Sequence, residues 1–249
     1  MKKVIGALIA ISLFASVPAH AQFGGLGGLL GGDKKPNPNA AKVPDLDSVM
    51  GSGAKIIVFT TIATDLAVVS ANQMLEAFPP EKVEAIKATF LKYDELKKKR
   101  GSDGQLDANA ETLASDGFKA MENLQVADYQ KGKSQVVRSA YLKLGLALGA
   151  DAIAASQVPP FLKSGKETVS SLSSNPMQMT KLGKLQAVLT TVTVLGQNVP
   201  SQIQSITTVR SLAKKIADAE GIKLGEPMAI TSLDPAVLTA DIKTVETEG

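Results

Sequence analysis

The chain has 249 residues, a formal net charge of +3, no cysteine, no tryptophan and a single histidine, His20. Thiolate and imidazole are the commonest nucleophiles, bases and transition-metal ligands in proteins, so this composition argues against thiol chemistry, catalytic triads and zinc sites. The near balance of charge argues against a general attraction to nucleic acid, and the chain has only three arginines to bind phosphate.

The first 21 residues have the pattern of a secretory signal peptide. Lys2 and Lys3 form a positive n-region, and an apolar run extends from Val4 to Val17. Ala19-His20-Ala21 then matches the A-x-A cleavage signal. We expect cleavage after Ala21 and export to the bacterial periplasm or beyond it, with no transmembrane anchor left. The alternative, an uncleaved anchor, would need roughly 20 apolar residues.

Residues 22–45 are rich in glycine and proline and predict a flexible leader. Glycine at this density loses too much backbone entropy on ordering to form a stable helix. Four apolar side chains in the leader could insert shallowly into a membrane or dock on a partner; the alternative is a passive linker. These side chains are Phe23, Leu26, Leu29 and Leu30.

Residues 46–221 predict a bundle of about six to eight helices, and therefore an all-α fold. The first apolar run, residues 55–71, places Phe59, Leu66 and Val69 on one face at helical spacing. β-branched residues are dense in this run, so a strand over residues 55–63 remains an alternative.

A second helix is predicted over residues 80–100. Pro79-Pro80 opens it, glutamates occupy its first turn, and a basic run precedes Gly101. A turn and a further amphipathic helix are expected to follow, ending near Leu124.

The next helix is predicted over residues 126–156, and its second half is apolar on almost every side. Gly145 and Gly149 lie four residues apart, a spacing that lets another helix approach closely or leaves an apolar groove. Lys143 and Asp151 interrupt the run, which favours the central helix of a soluble bundle over a membrane-inserting hairpin. The sequence leaves open whether the apolar runs form only the core or also line a groove.

Proline and glycine predict where the remaining helices begin and end. Pro159-Pro160 is expected to separate the long helix from a short one, because proline breaks a helix interior. A helix beginning at Asn175-Pro176 is expected to end at Gly196, and a last major helix is expected to end at Gly221.

The final segment, residues 222–249, is predicted to be a C-terminal tail. Asp234-Pro235 predicts the start of a short helix, and we expect disorder beyond Thr244. The predicted order is therefore signal peptide (1–21), leader (22–45), helical bundle (46–221) and tail (222–249).

Asp65 and Asp151 are the charged residues set deepest in apolar sequence. Two carboxylates facing each other across a cleft could act as acid and base. Alternatively, each lies at the polar edge of its helix or pairs with a lysine, Arg138 or Arg210. Because no calcium-binding or phosphate-binding loop pattern is present, we predict no metal, no cofactor and no catalytic residue.

The sequence thus predicts an exported, non-catalytic helical protein that binds or scaffolds. Its expected partner is a lipid, an apolar small molecule or an envelope protein, because the apolar helices exceed what a minimal bundle requires. One alternative is a hydrolase or lyase that uses carboxylates alone. Another is a membrane-inserting helical protein, based on the apolar runs near residues 55 and 141.

Overall fold

The computed structural model describes residues 45–103, 109–173, 179–226 and 228–248. These ranges contain no strand, so the predicted all-α fold is confirmed. Two short 3-10 helices, Leu75–Ala77 and Val126–Asp128, occur in the connections. Six α-helices make up the rest of the described secondary structure: α1 Leu46–Met74, α2 Pro80–Asp103, α3 Asn109–Met121, α4 Ser134–Leu172, α5 Met179–Glu220 and α6 Pro235–Glu248.

The β-branched run in α1 is helical throughout, so residues 55–63 do not form the alternative strand. The Asp45 carboxylate accepts a hydrogen bond from the Ser48 backbone N–H at 3.3 Å and caps the first turn. Within the run, the Thr60 hydroxyl donates to the Ile56 carbonyl at 3.0 Å. This bond satisfies a hydroxyl that would otherwise be buried without a partner in an apolar environment.

Three long helices, α1, α4 and α5, form the centre of the bundle. The residues that share each core show that α4 runs antiparallel to both α1 and α5. At about 1.5 Å per residue, the 39 residues of α4 span roughly 58 Å. The bundle is therefore long enough to contain two separate apolar cores.

Glycines allow close contact between these three helices. A Cβ added at Gly165 of α4 would overlap the Leu189 side chain of α5. A Cβ at Gly53 of α1 would overlap both Val188 and Phe161. These contacts leave no gap between the helices at the positions concerned, as expected for a close-packed protein interior.

Two predicted helix breaks are absent. α4 continues through Pro159 and Pro160, and α5 continues through Gly196 and Pro200. All three prolines are exposed, so water can hydrogen-bond to the carbonyls that they leave without an amide partner. Buried residues on either side of each site hold the helix in line, and the predicted helices therefore merge into fewer, longer ones.

α2 and α3 form a smaller layer against one end of α1. The Phe90 and Phe118 rings lie 5.7 Å apart, centroid to centroid, and Gly117 packs directly under Phe90. The connection to α4 includes Gly132, whose φ of 91° lies in the left-handed region that favours glycine. This connection replaces the helical start that the sequence predicted at residue 126.

Residues 222–226 and 228–248, here called the C-terminal arm, pack back onto the bundle. The arm contains the predicted short helix, α6. The side chains of Leu238 and Val245 are buried, so the expected disorder beyond Thr244 is wrong up to Glu248. Apolar contact with the bundle holds this helix in place despite its short length.

The buried apolar residues form two clusters, here called the larger core and the smaller core. The larger core joins α2, α3, the C-terminal part of α1, the first third of α4 and the last third of α5. The smaller core lies at the other end of the three long helices. Its members are Val49, Ile56, Ile57, Phe59, Ala63, Ala150, Ala154, Val158, Phe161, Leu185, Val188, Val192, Leu195 and Leu238.

Candidate functional site

A polar group of three residues, here called the central polar cluster, lies inside the bundle: Thr64 of α1, Asp151 of α4 and Gln202 of α5. Asp151 is fully buried. The Gln202 side-chain amide nitrogen donates to Asp151 Oδ2 at 2.9 Å and to Thr64 Oγ1 at 2.8 Å. One amide group therefore connects all three long helices.

The side-chain hydrogens of Gln202 and Thr64 are all used in hydrogen bonds within the bundle. An amide NH₂ carries two hydrogens, which is the number of acceptors that Gln202 reaches. The Thr64 hydroxyl accepts one of these hydrogens and donates its own to the Thr60 carbonyl at 2.9 Å. Hydrogen bonds that join three helices inside a bundle rigidify the structure around them.

Asp65 belongs to a different group, the peripheral charge cluster, which also contains Tyr93 and Lys97 of α2. The Tyr93 hydroxyl donates to Asp65 Oδ1, and Lys97 Nζ lies 3.0 Å from Asp65 Oδ2. The side chains of Asp65 and Lys97 are 20% and 41% exposed, so solvent screens this pair. The cluster joins α1 to α2.

The structure therefore places the two candidate carboxylates in separate clusters. The described partners of Asp65 lie on α2, and the described partner of Asp151 lies on α5. The predicted alternative of a lysine partner is confirmed for Asp65 by Lys97. The sequence did not identify Tyr93 as a second partner, although Tyr93 and Lys97 lie four residues apart and so share one face of α2. Gln202 gave no comparable signal, because a lone glutamine in a helix is ordinarily exposed.

Arg210, one of the two arginines suggested as partners of these aspartates, contacts Tyr141. The Arg210 guanidinium lies 3.9 Å from the centre of the Tyr141 ring and donates to the Tyr141 carbonyl at 3.3 Å. The buried Lys143 amine lies 3.4 Å from the Gln73 side-chain oxygen. Both contacts join helices of the bundle.

The groove predicted beside Gly145 and Gly149 is covered at one of the two glycines. Ile230 of the C-terminal arm lies against Gly149, where an added Cβ would be 3.1 Å from its Cγ1. Nearer the start of the arm, Gly225 packs against Leu142. The sequence missed this cover because residues 222–234 have no periodic apolar pattern.

A shallow surface pocket of about 300 Å³ lies between α1 and α2. Its lining mixes amide, acidic, basic and apolar groups, and Leu91 in it is 58% exposed. The lining residues are Asn72, Glu76, Lys87, Ala88, Leu91 and Asp94.

Within the described ranges, no three or more histidine, cysteine, aspartate or glutamate side chains come together in a way that could hold a metal ion. One described helix, spanning Leu46–Ala77, is long and apolar enough to cross a membrane by length and composition. Its most apolar stretch is 61% buried inside the bundle, as in the core helix of a soluble protein.

The leader residues Phe23, Leu26, Leu29 and Leu30, like the signal sequence, lie outside the described residues. What is described defines an all-α bundle whose internal polar groups connect one helix to another. Comparisons with family models, with curated proteins and with solved structures found no match. Function is therefore inferred from the residues of this chain.

Proposed function

We propose that this protein is an exported, non-catalytic helical scaffold that engages a component of the bacterial envelope through its leader. The observation that carries the proposal is that the two candidate catalytic carboxylates form contacts between helices. Asp65 and Asp151 are each engaged by side chains of neighbouring helices, so both contribute to holding the bundle together.

The composition of the chain supports a role without catalysis. After removal of the signal peptide, no histidine or cysteine would remain to act as base or nucleophile. A carboxylate mechanism would need two carboxylates facing a shared substrate, and Asp65 and Asp151 belong to separate clusters.

Close packing favours a surface partner over an apolar molecule held inside the bundle. Gly53 and Gly165 bring α1, α4 and α5 into direct contact, and Ile230 covers Gly149. The leader offers four apolar side chains among glycines, a composition suited to shallow contact with a lipid surface or an envelope protein.

Export is tested first, because the partner class depends on it. We expect the chain, expressed with its own signal in a Gram-negative host, to yield a periplasmic product whose intact mass begins at Gln22. Ala21→Phe should block cleavage, because the cleavage site requires a small residue there. His20→Ser, at the variable position between the two alanines, is the matched control and should be processed normally. An uncleaved wild-type chain in the cytosol would contradict the proposal.

Leader binding is tested with two matched fourfold variants. In the first, Phe23, Leu26, Leu29 and Leu30 are changed to serine. In the second, the four exposed large apolar residues of the described bundle, Val69, Leu91, Met228 and Val237, are changed to serine. We expect only the leader variant to lose sedimentation with phosphatidylethanolamine–phosphatidylglycerol vesicles or cross-linking to an envelope protein. If the leader variant still binds vesicles or the envelope protein and the bundle variant does not, the partner contacts the folded surface and not the leader.

The length and apolar character of α1 make membrane insertion the second candidate. Dye-loaded vesicles distinguish the two candidates, because insertion of a helical hairpin releases dye and surface contact does not. We expect the dye to be retained at neutral and mildly acidic pH. Release would contradict the scaffold proposal and identify α1 as an insertion element.

A further inference from the structure

The central polar cluster lies at the boundary between the two cores on all three long helices. On α1, Thr64 follows Ala63 of the smaller core and precedes Leu66 of the larger core. On α4, Asp151 follows Ala150, the first residue of the smaller core, and so lies just inside that core. On α5, Gln202 lies between Leu195 of the smaller core and Ile206 of the larger core. Polar groups of all three long helices therefore lie at about one level, close to where the two cores meet.

Helix hydrogen bonding is weakened on the smaller-core side of this level. Proline lacks the N–H that would bond to the carbonyl four residues earlier. Pro159 and Pro160 therefore leave the carbonyls of Ala155 and Ser156 without that bond, and Pro200 does the same for Gly196. A Cβ at Gly196 would lie 2.8 Å from the side chain of Val158, so the weakened stretches of α4 and α5 pack directly against each other.

We propose that this level is a joint at which the smaller-core end of the bundle opens while the larger core stays folded. The C-terminal arm is the strap that holds the joint closed. The joint follows from three neighbouring features: divided cores, a polar layer close to where they meet, and proline sites on the smaller-core side of that layer. The proposal does not depend on the function proposed above.

The arm is placed to act as this strap. Ile230 and Ile242 pack against both cores. Leu238 belongs to the smaller core and Val245 to the larger one. Ile230 contacts Gly149, two residues before Asp151, so the arm crosses the bundle at the level of the joint. Because α1 begins at Leu46 in the smaller-core end, opening would also move the point at which the leader is attached.

Native-state amide hydrogen exchange of the purified chain beginning at Gln22 tests the joint. Segments that open as separate units show different opening constants. We expect amides of residues 50–60 and 185–195 to share an opening constant at least about tenfold larger than that of residues 137–147 and 206–216. A single common constant for both cores in the wild type would overturn the proposal.

Two variants of the arm test the strap. Ile230→Ala should raise the opening constant of the smaller-core amides by about tenfold, because it removes an arm contact that holds the smaller-core end closed. The opening constant of the larger-core amides should not change, because the larger core stays folded when the joint opens. Met228→Ala, at a half-exposed position of the same arm, is the matched control and should change neither constant. Equal changes in both cores for Ile230→Ala would show that the arm contributes only to global stability.

Two further variants keep the test decisive if Ile230→Ala fails to fold. Pro200→Ala restores one backbone hydrogen bond and should lower the opening constant of the smaller core several-fold. Thr64→Val, Asp151→Leu and Gln202→Leu together make the boundary apolar and should merge the two exchange classes into one. Unchanged exchange in both variants would refute the joint.

Discussion

The two carboxylate clusters use the same residue type in opposite environments. Asp65 lies near the surface, where a lysine and a tyrosine hydroxyl hold it to α2. Asp151 is fully buried, where the Gln202 amide connects it to α5 and, through Thr64, to α1. The position of an acidic residue within an apolar run therefore does not predict its contribution to stability, which depends on its burial and its partners.

Burial sets the expected size of each contribution. Solvent screens the Asp65–Lys97 pair, and exposed pairs of this kind stabilise proteins by about 1 kcal/mol or less. A carboxylate without contact to water depends on its protein donors, and losing a hydrogen-bond partner of a buried charge costs roughly 3 kcal/mol. Four predictions, from the largest expected effect to the smallest, test this difference.

The largest effect is expected at Gln202. Gln202→Leu removes a hydrogen-bond donor from a buried carboxylate and should lower the free energy of unfolding by about 3 kcal/mol in urea denaturation. Gln204→Leu, on the exposed side of the same turn, is the matched control and should cost less than about 0.5 kcal/mol. If the two substitutions lower the free energy of unfolding equally, the hydrogen bonds of Gln202 add nothing measurable to stability.

An intermediate effect is expected at Tyr93. Its side chain is 1% exposed, and its hydroxyl reaches Asp65. Tyr93→Phe keeps the ring packing and removes one hydrogen bond to a charged group, so thermal and urea unfolding should show a loss of about 1.5 kcal/mol. If Tyr93→Phe costs as much as Gln202→Leu, the peripheral cluster is as important to the fold as the central one.

A smaller effect is expected at Lys97. Lys97→Met should cost less than about 1 kcal/mol, and the loss should shrink as salt is raised from 0.05 to about 1 M, because screening weakens an exposed ion pair. Lys98→Met, at the next, exposed position of α2, is the control. A salt-independent loss would mean that Lys97 contributes through packing and not through its charge.

The smallest effect is expected at Lys214, which is fully exposed. A hydrogen bond to Asp218 and the charge of that carboxylate raise the pKa of Lys214 above its usual value of 10.5. A raised folded-state pKa gives stability that is present below pH 10.5 and is lost as the pH rises past the folded value. Asp218→Asn should therefore leave stability within error of wild type from pH 6 to 9, and any small difference should vanish at higher pH.

Helix type was predictable from the sequence, but helix length was not. The apolar period of 55–71 predicted a helix, which the structure extends from Leu46 to Met74. The expected breaks at Pro159-Pro160 and at Gly196 are absent, because the local cost of proline is outweighed by burial of Val158 and Phe161 on either side. A propensity rule describes an isolated helix, and tertiary packing overrides it here.

The candidate site was predictable only in part. The sequence identified Asp65 and Asp151 as unusual but did not reveal that they belong to separate clusters, because that depends on how the long helices are aligned. Gln202 has no local signal at all. The cover over Gly149 was also missed, because the arm that supplies Ile230 resembles a polar tail in sequence.

The C-terminal arm also affects the order in which the fold is completed. Leu238 and Val245 occupy positions in the smaller and the larger core, so each core includes contacts between residues that lie far apart in the chain. Contacts between distant parts of the chain form slowly, because loop closure must precede them. Docking of the arm onto the long helices is therefore expected to be a late step in folding.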